Sequence, residues 1–180
     1  MSEHQAFKQG NISIDAQNIM PVIKRWLYSD KDIFIRELVS NGVDAISKYR
    51  MMGKGGDEDL RVTVTVDKEA GIISFTDNGI GMTAEEVDRY INQVAFSSAE
   101  EFLKNYTAGD QSGIIGHFGL GFYSSFMAAS KVTIDTLSWQ ENAAPVLWES
   151  EDGMAFSMSE GARQTRGTTI TLTISEEEKE

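Results

Sequence analysis

The sequence predicts an α+β fold in two layers, with helices covering one face of a largely antiparallel sheet. Three observations carry this. Apolar residues recur at helical spacing early in the chain, as in Ile19, Val22, Ile23, Trp26 and Leu27. Period-two alternation takes over in "LRVTVTVD", and four more strand-like runs fill the last third. Helices that come early and strands that accumulate late suggest a helix layer on a sheet.

A chain of 180 residues suits one domain with a proper core, and 41% hydrophobic with 24% charged residues is ordinary for a globular protein. No apolar run approaches the length that spans a membrane. The N-terminal "MSEHQAFKQG" lacks the basic flank and apolar core of a secretory signal, and the absence of cysteine removes disulfides and thiolate metal sites. A cytoplasmic protein is expected. The net charge of −12 argues against nucleic acid as the main ligand. A small anion can still be held by main-chain N–H groups or a metal ion.

In chain order, residues 15–28 read as a helix with Asp15 as cap, and residues 31–51 as a longer one. Val62, Val64 and Val66 alternate with Arg61, Thr63 and Thr65, which predicts a strand with one buried face. "GIISFTD" follows a turn around Glu69 to Gly71, so the pair reads as a hairpin. Thr83 with Glu86, and Ser98 with Glu101, have capping-box spacing and open two helices. Residues 119–129 read as a further helix starting at glycines. "KVTIDTL", "PVLWES", "MAFSM" and "GTTITLTI" read as strands, and the terminal "SEEEKE" as a solvated charge run beginning a linker.

Three local features suggest chemistry. In the long helix, Glu37, Asn41 and Asp44 lie at i, i+4 and i+7 and share one face, flanked by Phe34, Leu38 and Ala45, with Ile35, Val39, Gly42, Ile46 and Tyr49 opposite. This stripe is either a solvent face with an Asp44–Lys48 pair or the wall of a cleft. In "IISFTDNGIGM", Asp77 shares its strand face with Ile73 and Phe75 and is therefore expected to be buried. Its carboxylate then accepts either from turn N–H groups or from a ligand amino group, with Gly79 and Gly81 clearing room for a flat ring. Met82 is either ring-packing or plain core. In "GIIGHFGLGFYSSFM", Gly113, Gly116, Gly119 and Gly121 crowd before a helix, where bare N–H groups and the helix dipole favour an anion. The spacing fits neither a Rossmann fingerprint nor a phosphate loop.

Taken in order, "ELVSNGVDA", "DNGIGM" and "GHFGLGF" resemble the ATP-binding domain shared by DNA gyrase, the ninety-kilodalton heat-shock chaperones, sensor histidine kinases and MutL. The flanking words "YSDKDIFIRELVSN", "IGHFGLGFYS", "LWES" and "RGTTITL" resemble the heat-shock chaperones, most of all the bacterial HtpG branch, from about residue 5 to residue 175. The resemblance implies the Bergerat ATP-binding fold, with helices on one face of a mixed, mainly antiparallel sheet. It implies an N-terminal ATP-binding domain over residues 1–175, a linker from 176, and further domains beyond.

The resemblance also implies roles. Glu37 matches the general base that activates water, and Asn41 the residue that holds magnesium on the phosphates. Asp77 matches the acceptor of the adenine amino group. Gly81 and Thr168 complete the adenine end, with Met82 and Phe122 lining the pocket. Gly116, Gly119 and Gly121 bring their backbone toward the phosphates. Asp44, Ala45, Ile91, Phe96 and Leu120 complete the nucleotide-contacting set. Arg36 is a candidate partner for Glu37 or an ordinary surface charge. Residues 97–121 match a mobile lid, and residues 1–10 a strand exchanged between subunits, with Phe7 either its buried anchor or a core residue. The implied cofactors are ATP or ADP and Mg2+. The implied partners are client proteins reached through absent domains, in a full-length homodimer whose isolated N-terminal domain is monomeric and hydrolyses slowly.

The chain departs from the family pattern at Phe96, where a phosphate-contacting lysine is usual, and at His117, Tyr90 and Val43. Two other functions compete: a nucleotide sensor without useful turnover, and the ATPase domain of a topoisomerase or mismatch-repair protein.

Overall fold

The computed structural model describes residues 6–11, 33–93, 120–151, 153 and 155–176. The helix expected over 15–28, the Ser98 capping box, most of the proposed lid, and Phe96, Gly116 and Gly119 lie outside these residues.

Seven strands form one sheet: β1 (Lys8–Asn11), β2 (Val62–Asp67), β3 (Ile72–Asp77), β4 (Ala129–Leu137), β5 (Val146–Ser150), β6 (Ala155–Glu160) and β7 (Gly167–Ile174). Their spatial order is β1-β6-β5-β4-β7-β3-β2, and every ladder among the described residues is antiparallel. The β2–β3 hairpin closes as read. Asp67 Oδ1 accepts from the Ala70 N–H at 3.0 Å, and Gly71 takes a φ of 68°, a left-handed conformation natural to glycine.

Register explains where the core sits. Phe75, Ile170, Ile134, Trp148 and Met158 pair in turn across five strands, and all are buried. Helix α1 (Ile33–Met51) lies over this side of the sheet and buries Phe34, Leu38, Gly42 and Tyr49. Burying a side chain such as Leu38 contributes about 1.5–3 kcal/mol. A β-carbon on Gly42 would come 2.8 Å from Val62 Cγ2, so that glycine lets the helix approach the hairpin. The opposite face carries hydroxyls: Thr76 and Thr169 lie 3.2 Å apart across the β3–β7 pair. One apolar and one polar face is how an antiparallel sheet meets water on one side.

Thr83 forms its predicted capping box with Glu86, accepting at 3.2 Å and donating its own N–H at 3.0 Å. It opens α2 (Ala84–Val87), which passes into a π-helical turn over Asp88–Gln93. The helix expected over 119–129 is a 3-10 helix, Leu120–Met127, cut short because β4 begins at Ala129.

Three expectations change. Val64 and Val66 do lie on the helix-facing side, opposite Phe75 and Ile73, but are 45% and 59% exposed because β2 is the edge strand. Ile35 is likewise exposed, since the buried stripe of α1 runs through Phe34, Leu38 and Gly42. Phe7 is not a core residue of the single chain: it is 58% exposed, although its N–H donates to Met158 O at 2.9 Å and β1 pairs with β6.

Candidate functional site

Two residues along from the apolar row, the helix-facing side of the sheet turns polar. Asp77 on β3 pairs with Thr168 on β7, and Thr168 with Thr136 on β4. All three are buried, Asp77 to 7% exposure. The two threonine hydroxyls share a hydrogen bond of 2.8 Å, and Thr136 Oγ1 also accepts from the Met82 N–H at 3.0 Å. A polar row at the end of an otherwise apolar layer needs a reason, because buried polar groups are costly unless satisfied.

Asp77 is satisfied only in part by its own turn. Its Oδ1 accepts from the Gly79 N–H at 2.9 Å. Burial pushes its pKa up to about 6, against the opposing pull of the Gly79 N–H, the Arg163 guanidinium and the Thr168 N–H. A carboxylate whose charged form is penalised by burial in this way is one an added donor would stabilise.

The turn after Asp77 is pressed against α1. A β-carbon on Gly79 would lie 2.5 Å from the Ala45 carbonyl carbon, and the Ile80 N–H donates to Ala45 O at 3.1 Å. Gly81 has φ 66°, and its β-carbon would overlap Leu137 O. Both positions need glycine because protein backbone approaches there, which corrects the idea that they clear space for a ring. The same packing sets the polar stripe of α1 beside the turn. Glu37 is buried to 8% exposure, and burial raises its pKa above the ordinary 4.5 despite the nearby Arg36 charge. Asn41 and Asp44, farther along that face, are exposed. One face of α1 therefore carries a desolvated carboxylate followed by exposed polar groups.

Residues 29–152 match the family model described as histidine kinase-, DNA gyrase B-, and HSP90-like ATPase. The chain belongs to this ATPase family. It is 49% identical over 178 residues to the chaperone protein HtpG of Porphyromonas gingivalis strain W83, covering 96% of this chain and 26% of that protein. It is 48% identical over 178 residues to that of Bacteroides fragilis strain 638R, with the same coverage of each. To HtpG of Geobacter metallireducens it is 41% identical over 176 residues, covering 92% of this chain and 27% of that protein. It is an ATP-binding domain of the HtpG type, and it spans about a quarter of the length of these relatives.

Within this ATPase domain, Glu37, Asn41, Asp44 and Ala45 share α1, while Asp77, Gly81, Met82 and Thr168 gather at the adjoining ends of β3 and β7. Met82 and Ile91 are half-buried and pack on the core. Phe122 is buried, with its ring edge-on to Trp148 at 5.5 Å and to Phe126 at 6.3 Å. Leu120 and Gly121 open the 3-10 helix. Among the described residues no cluster of three or more His, Cys, Asp or Glu could hold a metal ion, and no helix is long and apolar enough to cross a membrane.

Sequence reading missed Thr136, Arg163 and Arg166. Arg163 Nη1 donates to Thr169 Oγ1 at 2.7 Å, and its charge reaches Asp77 and Asp135. Arg166 opens the word "RGTTITL" but no local pattern shows what it or the other two touch, because their contacts come from the pairing of β7 with both β3 and β4.

Proposed function

We propose that residues 1–175 form the N-terminal domain of an HtpG-type chaperone that binds ATP and hydrolyses it to ADP and phosphate. Asp77 accepts the adenine amino group, with Thr168 and Gly81 beside it and Met82 near the ring. The observation that carries this reading is the Asp77 carboxylate, buried at the end of a polar row where burial penalises its charge.

Glu37 serves as general base, taking a proton from the water that attacks the terminal phosphate. Its desolvation suits the task, since a base with a raised pKa holds the abstracted proton more firmly. Asn41, one helical turn on, presents an exposed amide, and its oxygen is the kind of hard donor that fits Mg2+ when phosphates and water fill the other positions. Bound there, the ion would neutralise charge building on the phosphates. The chain's own residues supply orientation and the proton acceptor. In the family resemblance Gly116, Gly119 and Gly121 correspond to phosphate-contacting positions, and Asp44, Ala45, Ile91, Phe96, Leu120 and Phe122 to the remaining nucleotide contacts. The full-length protein is a cytoplasmic homodimer acting on client proteins, and the isolated domain is a slowly hydrolysing monomer.

Calorimetry with ADP tests the base contact. The unmodified chain should bind, and Asp77→Asn should not; near-normal affinity in that variant removes the adenine assignment. Single-turnover hydrolysis tests Glu37. Glu37→Gln should lose about 10²-fold or more in rate while keeping ADP affinity, and an unchanged rate would show that another group takes the proton.

A further inference from the structure

Behind the turn that carries Asp77, one guanidinium ties four parts of the chain together. Arg166 stands immediately before β7, and 19% of its side chain is exposed. Its Nε donates to the main-chain oxygens of Asn78 at 3.2 Å and Gly79 at 3.0 Å. Nη2 donates to Asn78 O at 2.8 Å and to Glu58 Oε1 at 2.6 Å. Nη1 donates to the Tyr49 hydroxyl at 3.0 Å, and the guanidinium carbon lies 4.0 Å from the centre of the Tyr49 ring. The Asn78 side chain braces the same turn, donating to Asp59 O at 2.8 Å and accepting from the Arg61 N–H at 2.8 Å.

One peptide unit links this clamp to the carboxylate. The oxygen of the Asn78–Gly79 peptide accepts from Arg166, and the N–H of the same peptide donates to Asp77 Oδ1. The peptide is planar, so fixing its oxygen fixes the direction of its N–H. Withdrawing electron density at the oxygen also strengthens the N–H as a donor. We propose that Arg166 is a positioning residue for base recognition, holding the Asn78–Gly79 peptide so that the Asp77 carboxylate is oriented to accept an exocyclic amino group. This rests on the reading of Asp77 as the adenine acceptor. Lysine cannot take over the role, because a single ammonium lacks the planar fork that reaches two carbonyls, a hydroxyl and a carboxylate together.

A clamp that merely stabilises the fold would weaken all ligands alike. One that orients Asp77 acts on the amino group alone, which separates ADP from inosine diphosphate, where an oxygen replaces that group. Both nucleotides are titrated by calorimetry into the unmodified chain, Arg166→Lys, Arg166→Ala and Asp77→Asn. The unmodified chain should prefer ADP by at least about tenfold. Arg166→Ala should weaken ADP about tenfold or more while changing inosine diphosphate less than about threefold, so that discrimination collapses, and Arg166→Lys should lie between. An unchanged ADP preference in the arginine variants overturns the proposal, even if both nucleotides bind less tightly. If Arg166→Ala does not fold, the ratio in Arg166→Lys decides. Equal binding of the two nucleotides by the unmodified chain, or an intact preference in Asp77→Asn, removes the base-recognition reading itself and the proposal with it.

Discussion

Asp77→Asn should stabilise the nucleotide-free domain at neutral pH while abolishing nucleotide binding. The folded protein holds the Asp77 pKa at about 6, whereas its ordinary value is 3.8. At about 1.4 kcal/mol per pH unit, keeping this carboxylate charged inside the fold costs about 3 kcal/mol above pH 6. The sign follows from proton binding. Between 3.8 and about 6 the folded state holds more protons at this site than the unfolded state, so this contribution lowers stability as pH rises through that window. At pH 4.5 the cost falls to about 1 kcal/mol. Asparagine keeps an oxygen for the Gly79 N–H but carries no charge, so a net gain of about 1–3 kcal/mol is expected at pH 7.5 after its unpartnered amide is discounted. Urea unfolding of both proteins at pH 7.5 and pH 4.5, without nucleotide, measures the difference directly, and other carboxylates cancel in the comparison. A variant that is less stable than the original by the same amount at both pH values refutes the desolvated-charge reasoning.

Gly81→Ala should destabilise by about 3 kcal/mol or more, since φ is 66° and the new methyl would overlap Leu137 O; a chemical melt within 1 kcal/mol of the original would contradict that packing. Val66→Thr should change stability by less than about 0.5 kcal/mol, because the side chain is 59% exposed on an edge strand, and a loss above about 1 kcal/mol in the same assay would show that this face is covered.

Much of the fold was legible because local rules and tertiary structure agree. The Thr83–Glu86 box, the hairpin at Gly71 and the four late strands all depend on neighbours a few residues apart. Asp77 could be placed inside from strand parity alone, once Phe75 was taken as core. Parity failed at Val64 and Val66, which share the inward face yet stay exposed, because a two-residue period says which side a residue faces and not whether anything lies above it. Gly79 and Gly81 were read as clearing room for a flat ring, but what comes close there is the backbone of Ala45 and Leu137, each distant in sequence.

By itself the amino-acid order determined the elements, the two-layer class, the family resemblance through three short motifs, and the carboxylates on which the chemistry is proposed to turn. Tertiary structure alone decided which row of the sheet became polar, since Asp77, Thr168 and Thr136 meet only through the placing of β7 between β3 and β4. It also decided that Arg166 would grip the Asn78–Gly79 peptide across 88 positions of sequence. The physical reason is range. Propensity, capping and alternation act over a few residues, whereas strand order and close packing bring together groups whose separation along the chain carries no signal of their contact.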